Sequence, residues 1–208
     1  MNNRRNKDEA MIRDLRESIP EPADASLQRS RSRVQAWFKS AAEKIFWDSL
    51  ETPVGRLHLA ATDRGLIEIS FLESSEAFLR RLDPKSHLIQ DGPALARYRR
   101  QLQEYFDGRR RAFSLPTDLS SVTEFQRLVL IATSRIPAGE VRSYGEIAEA
   151  IGRPRAARAV GQALGGNPIP IVLPCHRVVT SSGRLGGYAG GLKRKRTLLM
   201  LEGALPLT

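Results

Sequence analysis

The order of apolar and polar positions divides this chain into a polar opening, a strand-rich middle and a helix-rich second half. Residues 1–29 are polar and of mixed charge, and a short helical pattern at Ile12, Leu15 and Ile19 is broken by Pro20-Glu21-Pro22. A better stripe follows, with Val34, Trp37, Phe38, Ala41, Ala42 and Ile45 on the i, i+3, i+4, i+7 positions of one helix face. From Phe46 to Phe71 the period changes to two. Arg56–Ala61 and Leu66–Phe71 alternate, and the turns Thr52-Pro53-Val54-Gly55 and Asp63-Arg64-Gly65 separate them from their neighbours, so two hairpins and a small antiparallel sheet are predicted. Helices are predicted from Ser75 to Leu82, ended by Asp83-Pro84, and from Pro93 to Tyr105, ended by Gly108.

Three helices follow Leu115-Pro116. The first has Thr123 as N-cap, runs to Ser134 and turns Phe125, Leu128, Val129 and Ala132 inward. The second starts at Ser143, with Glu146 three residues on as in a capping box, and ends near Gly152. The third spans Pro154 to Leu164, with proline at its start and Gly165-Gly166 at its end. Two short helices joined by Gly152-Arg153-Pro154 form a helix-turn-helix candidate, whose second helix is expected to carry Arg155 and Arg158 among small residues. Small side chains let a helix approach a groove while arginines reach phosphates or bases, and such pairs also occur in cores that bind nothing. The fold class is therefore α+β: an extension over residues 1–45 with a helix near 30–45, a small antiparallel-sheet domain over 46–116, and a mainly helical domain over 117–208.

Charge adds a direction to this picture. The net charge is +10, and residues 121–208 hold twelve Lys/Arg against five Asp/Glu, while residues 46–120 hold eleven of each. The basic excess sits in the helical domain, where it fits either a polyanion such as nucleic acid or a solvated basic surface. No apolar run approaches the roughly 18 residues that span a bilayer. The opening lacks the apolar core of a secretory signal, so a cytoplasmic location is expected (nuclear in a eukaryote), with no membrane partner.

Cys175 is the only cysteine, which leaves no internal disulfide and no multi-cysteine metal site. It is either a small buried hydrophobe or a nucleophile. Pro170-Ile171-Val172-Leu173-Pro174 reads as a buried strand or extended segment leading into it, and His176 follows directly. Neighbours on an extended chain point oppositely, so a Cys–His relay needs a bridging water or an orienting carboxylate, for which Glu202 is one candidate.

Gly161-Gln162-Ala163-Leu164-Gly165-Gly166-Asn167-Pro168, followed by Ile171 to Val178, resembles the active-site region of the O6-alkylguanine-DNA alkyltransferase family. Ser143-Tyr144-Gly145-Glu146-Ile147-Ala148, Gly186-Gly187-Tyr188-Ala189-Gly190-Gly191 and Leu102-Gln103-Glu104-Tyr105-Phe106-Asp107-Gly108 match in order and spacing, and the resemblance covers about Trp47 to Gly203. It implies irreversible, once-only transfer of an alkyl group from O6-alkylguanine in double-stranded DNA to Cys175. His176 would activate the thiol through water and Glu202 would orient the histidine. Asn167 would hold the turn between the DNA-binding helix and the active-site segment. Arg158 would enter the duplex in place of a flipped base, with Arg155, Tyr144 and Ser143 completing the DNA-contacting set. Tyr144 would also protonate the leaving base, and Leu164, the Val178 backbone, Tyr188 and Ala189 would wall its pocket. The resemblance further implies a monomer with no cofactor and no metal, since the cysteines that bind zinc in some relatives are absent. Many relatives carry a tryptophan near Leu130, where this chain has Val129-Leu130. A non-catalytic lesion-binding protein of the same fold is the alternative, although related proteins of that kind lose the acceptor cysteine; a Cys–His hydrolase is a further rival.

Overall fold

The structure is a computed structural model that describes residues 27–32 and 43–204. The chain divides between Ala42 and Glu43 into two units. Of the first, residues 27–32 are helical; most of the helix expected near 30–45 lies outside the described residues. Ile45, expected to close that helical stripe, instead lies in strand β1 opposite Leu88.

The second unit opens with a sheet. Strands β1 (Lys44–Leu50), β2 (Leu57–Ala61) and β3 (Leu66–Ser70) form the expected antiparallel meander, with Phe46 opposite Ala61 and His58 opposite Ser70. A fourth strand, β4 (His87–Gln90), adds to the free edge of β1 in parallel, giving the order β3-β2-β1-β4. Four residues carry too little alternation to announce a strand. Helix α1 (Ser75–Leu79) is capped by the Ser74 hydroxyl and covers one face with Phe78. Helix α2 (Ala96–Phe106) covers the other with Tyr98, Leu102, Tyr105 and Phe106. Lying between two helices, β2 is buried at every position, which draws even His58 out of solvent.

Helices α3 (Glu124–Ser134), α4 (Tyr144–Ala150) and α5 (Ala157–Gly165) pack on one another. Thr123 caps α3, and Ser143 with Glu146 makes the full capping box of α4. Val129, Leu130 and Thr133 of α3 are buried, Phe125 and Ala132 pack against the same core, and Leu128 points outward beside exposed Ile131. The apolar residues of α3 outnumber the positions facing the core, so periodicity alone misplaced Leu128. Helix α5 begins at Ala157, so Arg155 lies in the turn before it; Arg158 is exposed in the first turn. Helix α6 (Leu192–Glu202) ends at Gly203 in the left-handed conformation, with the Ala204 N–H donating to the Leu199 carbonyl at 2.9 Å. Its buried side chains are Lys195, Leu198, Leu199 and Glu202, one stripe with a charge at each end.

A continuous core joins the sheet to the helices. Main-chain bonds cross between them from Ile69 N–H to Pro168 O (2.8 Å) and from Leu66 N–H to Pro116 O (2.9 Å). Among the described residues no helix is long and apolar enough to cross a membrane.

Candidate active site

Between α5 and Cys175 the chain makes a tight reversal rather than the expected strand. Pro170 bridges back to Leu173, and Ile171 takes φ = 76°, a left-handed conformation that disfavours a β-branched residue. Asn167 holds the reversal. Its side-chain oxygen accepts from Ile169 N–H at 3.0 Å, and its two amide hydrogens go to the Leu173 carbonyl (2.8 Å) and to the Cys175 sulfur (3.1 Å). With that amide fully used, the sulfur is pinned from one side. Cys175-His176-Arg177 then form one turn of 3₁₀ helix, and Val178–Val179 form strand β6, pairing in parallel with β5 (Arg142–Ser143) at the entry to α4.

The turn of 3₁₀ helix settles the geometry that an extended chain left open, because His176 reaches Glu202 directly. His176 Nε2 lies 2.9 Å from Glu202 Oε1. Arg177 grips the same carboxylate in a two-point fork at 2.9 and 2.8 Å, and the Tyr105 hydroxyl donates to Oε1 at 2.7 Å. These donors outweigh burial and hold the Glu202 carboxyl down at about 2. An ionised carboxylate only accepts, so Nε2 carries the proton and Nδ1 keeps a lone pair. Burial favours the neutral ring and lowers the His176 pKa, with Glu202 opposing. Nδ1 has no hydrogen-bond partner among the described residues.

Cys175 itself is almost fully buried. Burial pushes its thiol up to about 11, against the pull of the Asn167 amide, the Lys195 ammonium and nearby main-chain N–H groups. The sulfur borders a cavity of about 150 Å³ with Tyr144, Gly161, Leu164, Gly165, Gly187, Tyr188 and Ala189. Tyr144 touches the carbonyl of Gly187 only at 3.4 Å, and the buried Tyr188 hydroxyl has no partner among the described residues. Two glycines keep this wall thin. A Cβ on Gly186 would come within 2.9 Å of the Tyr144 oxygen, and one on Gly190 within 2.7 Å of the Tyr188 ring and 2.9 Å of Phe71. A second cavity of about 300 Å³ shares Gly165 and Ala189 with the first and extends past Asn167 and Pro170 to Phe71 and Arg194.

Of the residues singled out from sequence, Cys175, Asn167, Tyr144, Leu164, Tyr188 and Ala189 meet at the cavity or the sulfur, and His176 and Glu202 stand behind Cys175. Val178 is buried beside the cavity and outside its lining, with its carbonyl bound by Lys195 at 2.5 Å. Ser143 serves as the α4 cap. Arg155 and Arg158 are exposed on the helix-turn-helix, away from the cavity lining. Sequence reasoning missed Tyr105, Arg177 and Lys195. Arg177 adjoins His176, and its position was the available signal; Tyr105 and Lys195 gave none, because their roles depend on packing between distant segments.

The description 6-O-methylguanine DNA methyltransferase, ribonuclease-like domain, matches residues 45–119, and the DNA binding domain of the same family matches residues 124–204. The methylated-DNA–protein-cysteine methyltransferase of Methanosarcina barkeri (strain Fusaro / DSM 804) is 42% identical over 158 residues, covering 76% of this chain and 97% of that protein. The protein of that name from Mycolicibacterium paratuberculosis (strain ATCC BAA-968 / K-10) is 46% identical, covering 76% and 92%. The crystal structure of Mycobacterium tuberculosis OGT in complex with DNA superposes with a TM-score of 0.67 at 43% identity, covering 76% of this chain and 93% of that one. The chain belongs to the methylated-DNA–protein-cysteine methyltransferase family.

Proposed function

We propose that this protein repairs DNA by moving the alkyl group of O6-alkylguanine onto Cys175, once per molecule. The observation that carries this reading is a cysteine that lines a base-sized cavity and is followed directly by a histidine held against Glu202. At about 150 Å³ the cavity is smaller than the roughly 300–1,000 Å³ of ordinary small-molecule pockets, which suits a single heterocycle. A base inside a duplex cannot present its alkyl carbon to a buried thiol, so it must be flipped out, at a cost of a few kcal/mol. Exposed Arg158 and Arg155, at the head of the second helix of the helix-turn-helix, are placed to offset that cost, Arg158 by occupying the gap in the stack.

The transfer balances without a cofactor. Nδ1 of His176 takes the Cys175 proton through a water, the sulfur attacks the alkyl carbon, and the carbon–O6 bond breaks with its electrons on the guanine. Tyr144, which lines the cavity, gives its hydroxyl proton to the leaving base, and the proton held on His176 restores Tyr144 through water. The products are guanine and an S-alkyl cysteine. A thioether has no group that water or a base cleaves readily, so the protein acts as a monomeric single-use reagent. The thiol pushed up to about 11 explains the need for a relay, since little thiolate is present at neutral pH.

Mass spectrometry tests this. After incubation with a duplex bearing O6-methylguanine, the peptide containing Cys175 should gain one methyl group, at most one per protein, and Cys175→Ala should gain none. Binding to the duplex with no gain of mass would leave a lesion-binding protein and remove the transfer reading.

A further inference from the structure

Helix α6 carries two buried charges. Glu202, in its last turn, serves His176. Lys195 lies seven residues earlier on the same face, about 10 Å along the axis, and is fully buried. Lysine is almost never fully buried without a partner, because taking an ammonium out of water costs several kcal/mol. Among the described residues no carboxylate pairs with Lys195. Its three hydrogens go instead to main-chain carbonyls: Val178 at 2.5 Å, Gly187 at 3.3 Å and Leu185. Those carbonyls follow Cys175 in the chain and lead into the loop that carries Tyr188 and Ala189.

The charged and titratable groups acting on Cys175 are few. Tyr144 and Tyr188, both neutral, face it from α4 and the glycine loop; His176 and Arg177 follow it in the chain, with Arg177 committed to Glu202. Lys195 is the cation whose charge favours the thiolate, and the thiolate in turn favours the ammonium. We infer that Lys195 is a positioning residue with two linked tasks: it supplies the counter-charge for the Cys175 thiolate during transfer, and through its three carbonyls it ties that charge to the wall of the base pocket. The anion missing from its surroundings is the one the reaction creates. This rests on Cys175 being the alkyl acceptor.

The ammonium is lowered to about 8 by burial, which gives the inference a pH signature. With the thiol proton held on His176, the thiolate beside a charged lysine has the same proton count as the resting thiol beside that lysine. Once Lys195 titrates, raising the pH removes the counter-charge and with it that state.

The test is single-turnover methyl transfer from a saturating O6-methylguanine duplex between pH 6 and 9.5. The wild-type rate should be level once His176 is neutral and fall as the pH passes about 8. Lys195→Met should be slower by at least about tenfold at pH 7.5, the equivalent of one pKa unit on the thiol, and should not fall past pH 8, so that its deficit shrinks. Lys195→Arg keeps the charge and cannot titrate, so its rate should stay near wild type at pH 7 and lose the fall above pH 8. A deficit in Lys195→Met that is constant at every pH would reduce Lys195 to a structural clamp and overturn the inference. If that variant does not fold, the wild-type and Lys195→Arg profiles decide alone, and identical profiles overturn it. Failure of wild-type Cys175 to gain mass is a separate result that sinks the transfer reading itself.

Discussion

Two histidines in this protein are completely buried, and they do different things. His58 lies on β2 in the sheet and stacks on Phe78 of α1 at 5.1 Å between ring centroids. Among the described residues neither of its nitrogens meets a side-chain partner, and the Leu72 main chain is the nearest polar support. His176 is equally buried, but its Nε2 meets a carboxylate held by Arg177 and Tyr105. Burial lowers the pKa of both rings, so both are neutral at pH 7. The difference appears when a proton arrives. A charged His58 would have no counter-ion, with only the Leu72 main chain and distant Glu51 in its favour and Arg56 against it. A charged His176 would lie against Glu202. Burial alone thus makes an inert ring, and burial beside a fixed anion makes a base.

The strongest way to erase this distinction is Glu202→Gln, which leaves His176 without its anion as His58 is. Loss of general-base assistance is worth about 10²–10⁴ in rate, so single-turnover methyl transfer should fall by at least about a hundredfold. Arg177 would then be a buried guanidinium without its carboxylate, so the variant should also unfold at lower denaturant. A rate within a few-fold of wild type would show that the thiol is activated without the relay.

Tyr105→Phe tests the same carboxylate more gently, and from the other part of the fold. It deletes the 2.7 Å bond to Oε1 and leaves the Arg177 fork in place. The expected loss is about 1 kcal/mol of stability, typical of one hydrogen bond, with a rate decrease of at most about fivefold. A larger rate loss without a matching loss of stability would mean that Tyr105 sets the position of Glu202 rather than only supporting it.

These residues also show what the sequence could and could not reveal. The caps on α3 and α4 were legible because they rest on contacts three residues apart, at Thr123 and Ser143. Cys175 was legible by its solitude and its neighbour, and its surroundings by resemblance. The reversal before it was not, because Pro170-Ile171-Val172-Leu173-Pro174 has the composition of a buried strand and is held in its turn by Asn167, which bonds Leu173 within it and Ile169 and Cys175 at its two ends. The buried face of α6 escaped for a related reason. Lys195, Leu198, Leu199 and Glu202 recur at helical spacing, but a stripe that begins with lysine and ends with glutamate reads as a solvated helix. Only packing against the Cys175 turn shows that both charges face inward, and the 97-residue separation of Tyr105 from Glu202 put their bond beyond any local pattern.

The smallest expected effect belongs to His58, and it isolates the comparison most cleanly. A histidine whose pKa is lowered by folding binds its proton more readily in the unfolded chain. Its contribution to stability is therefore complete above the ordinary histidine pKa of about 6.5 and is lost as the pH falls below it. Replacing it in His58→Phe keeps a ring against Phe78 and removes the titration. Chemical denaturation at pH 7.5 and pH 5 should then show wild type losing more stability between the two than the variant does. His176 remains in both proteins and Glu202, held down at about 2, stays ionised across that window, so neither affects the difference. Parallel losses in the two proteins would mean that His58 finds a partner for its proton in solution, and the contrast with His176 would then rest on Glu202 alone.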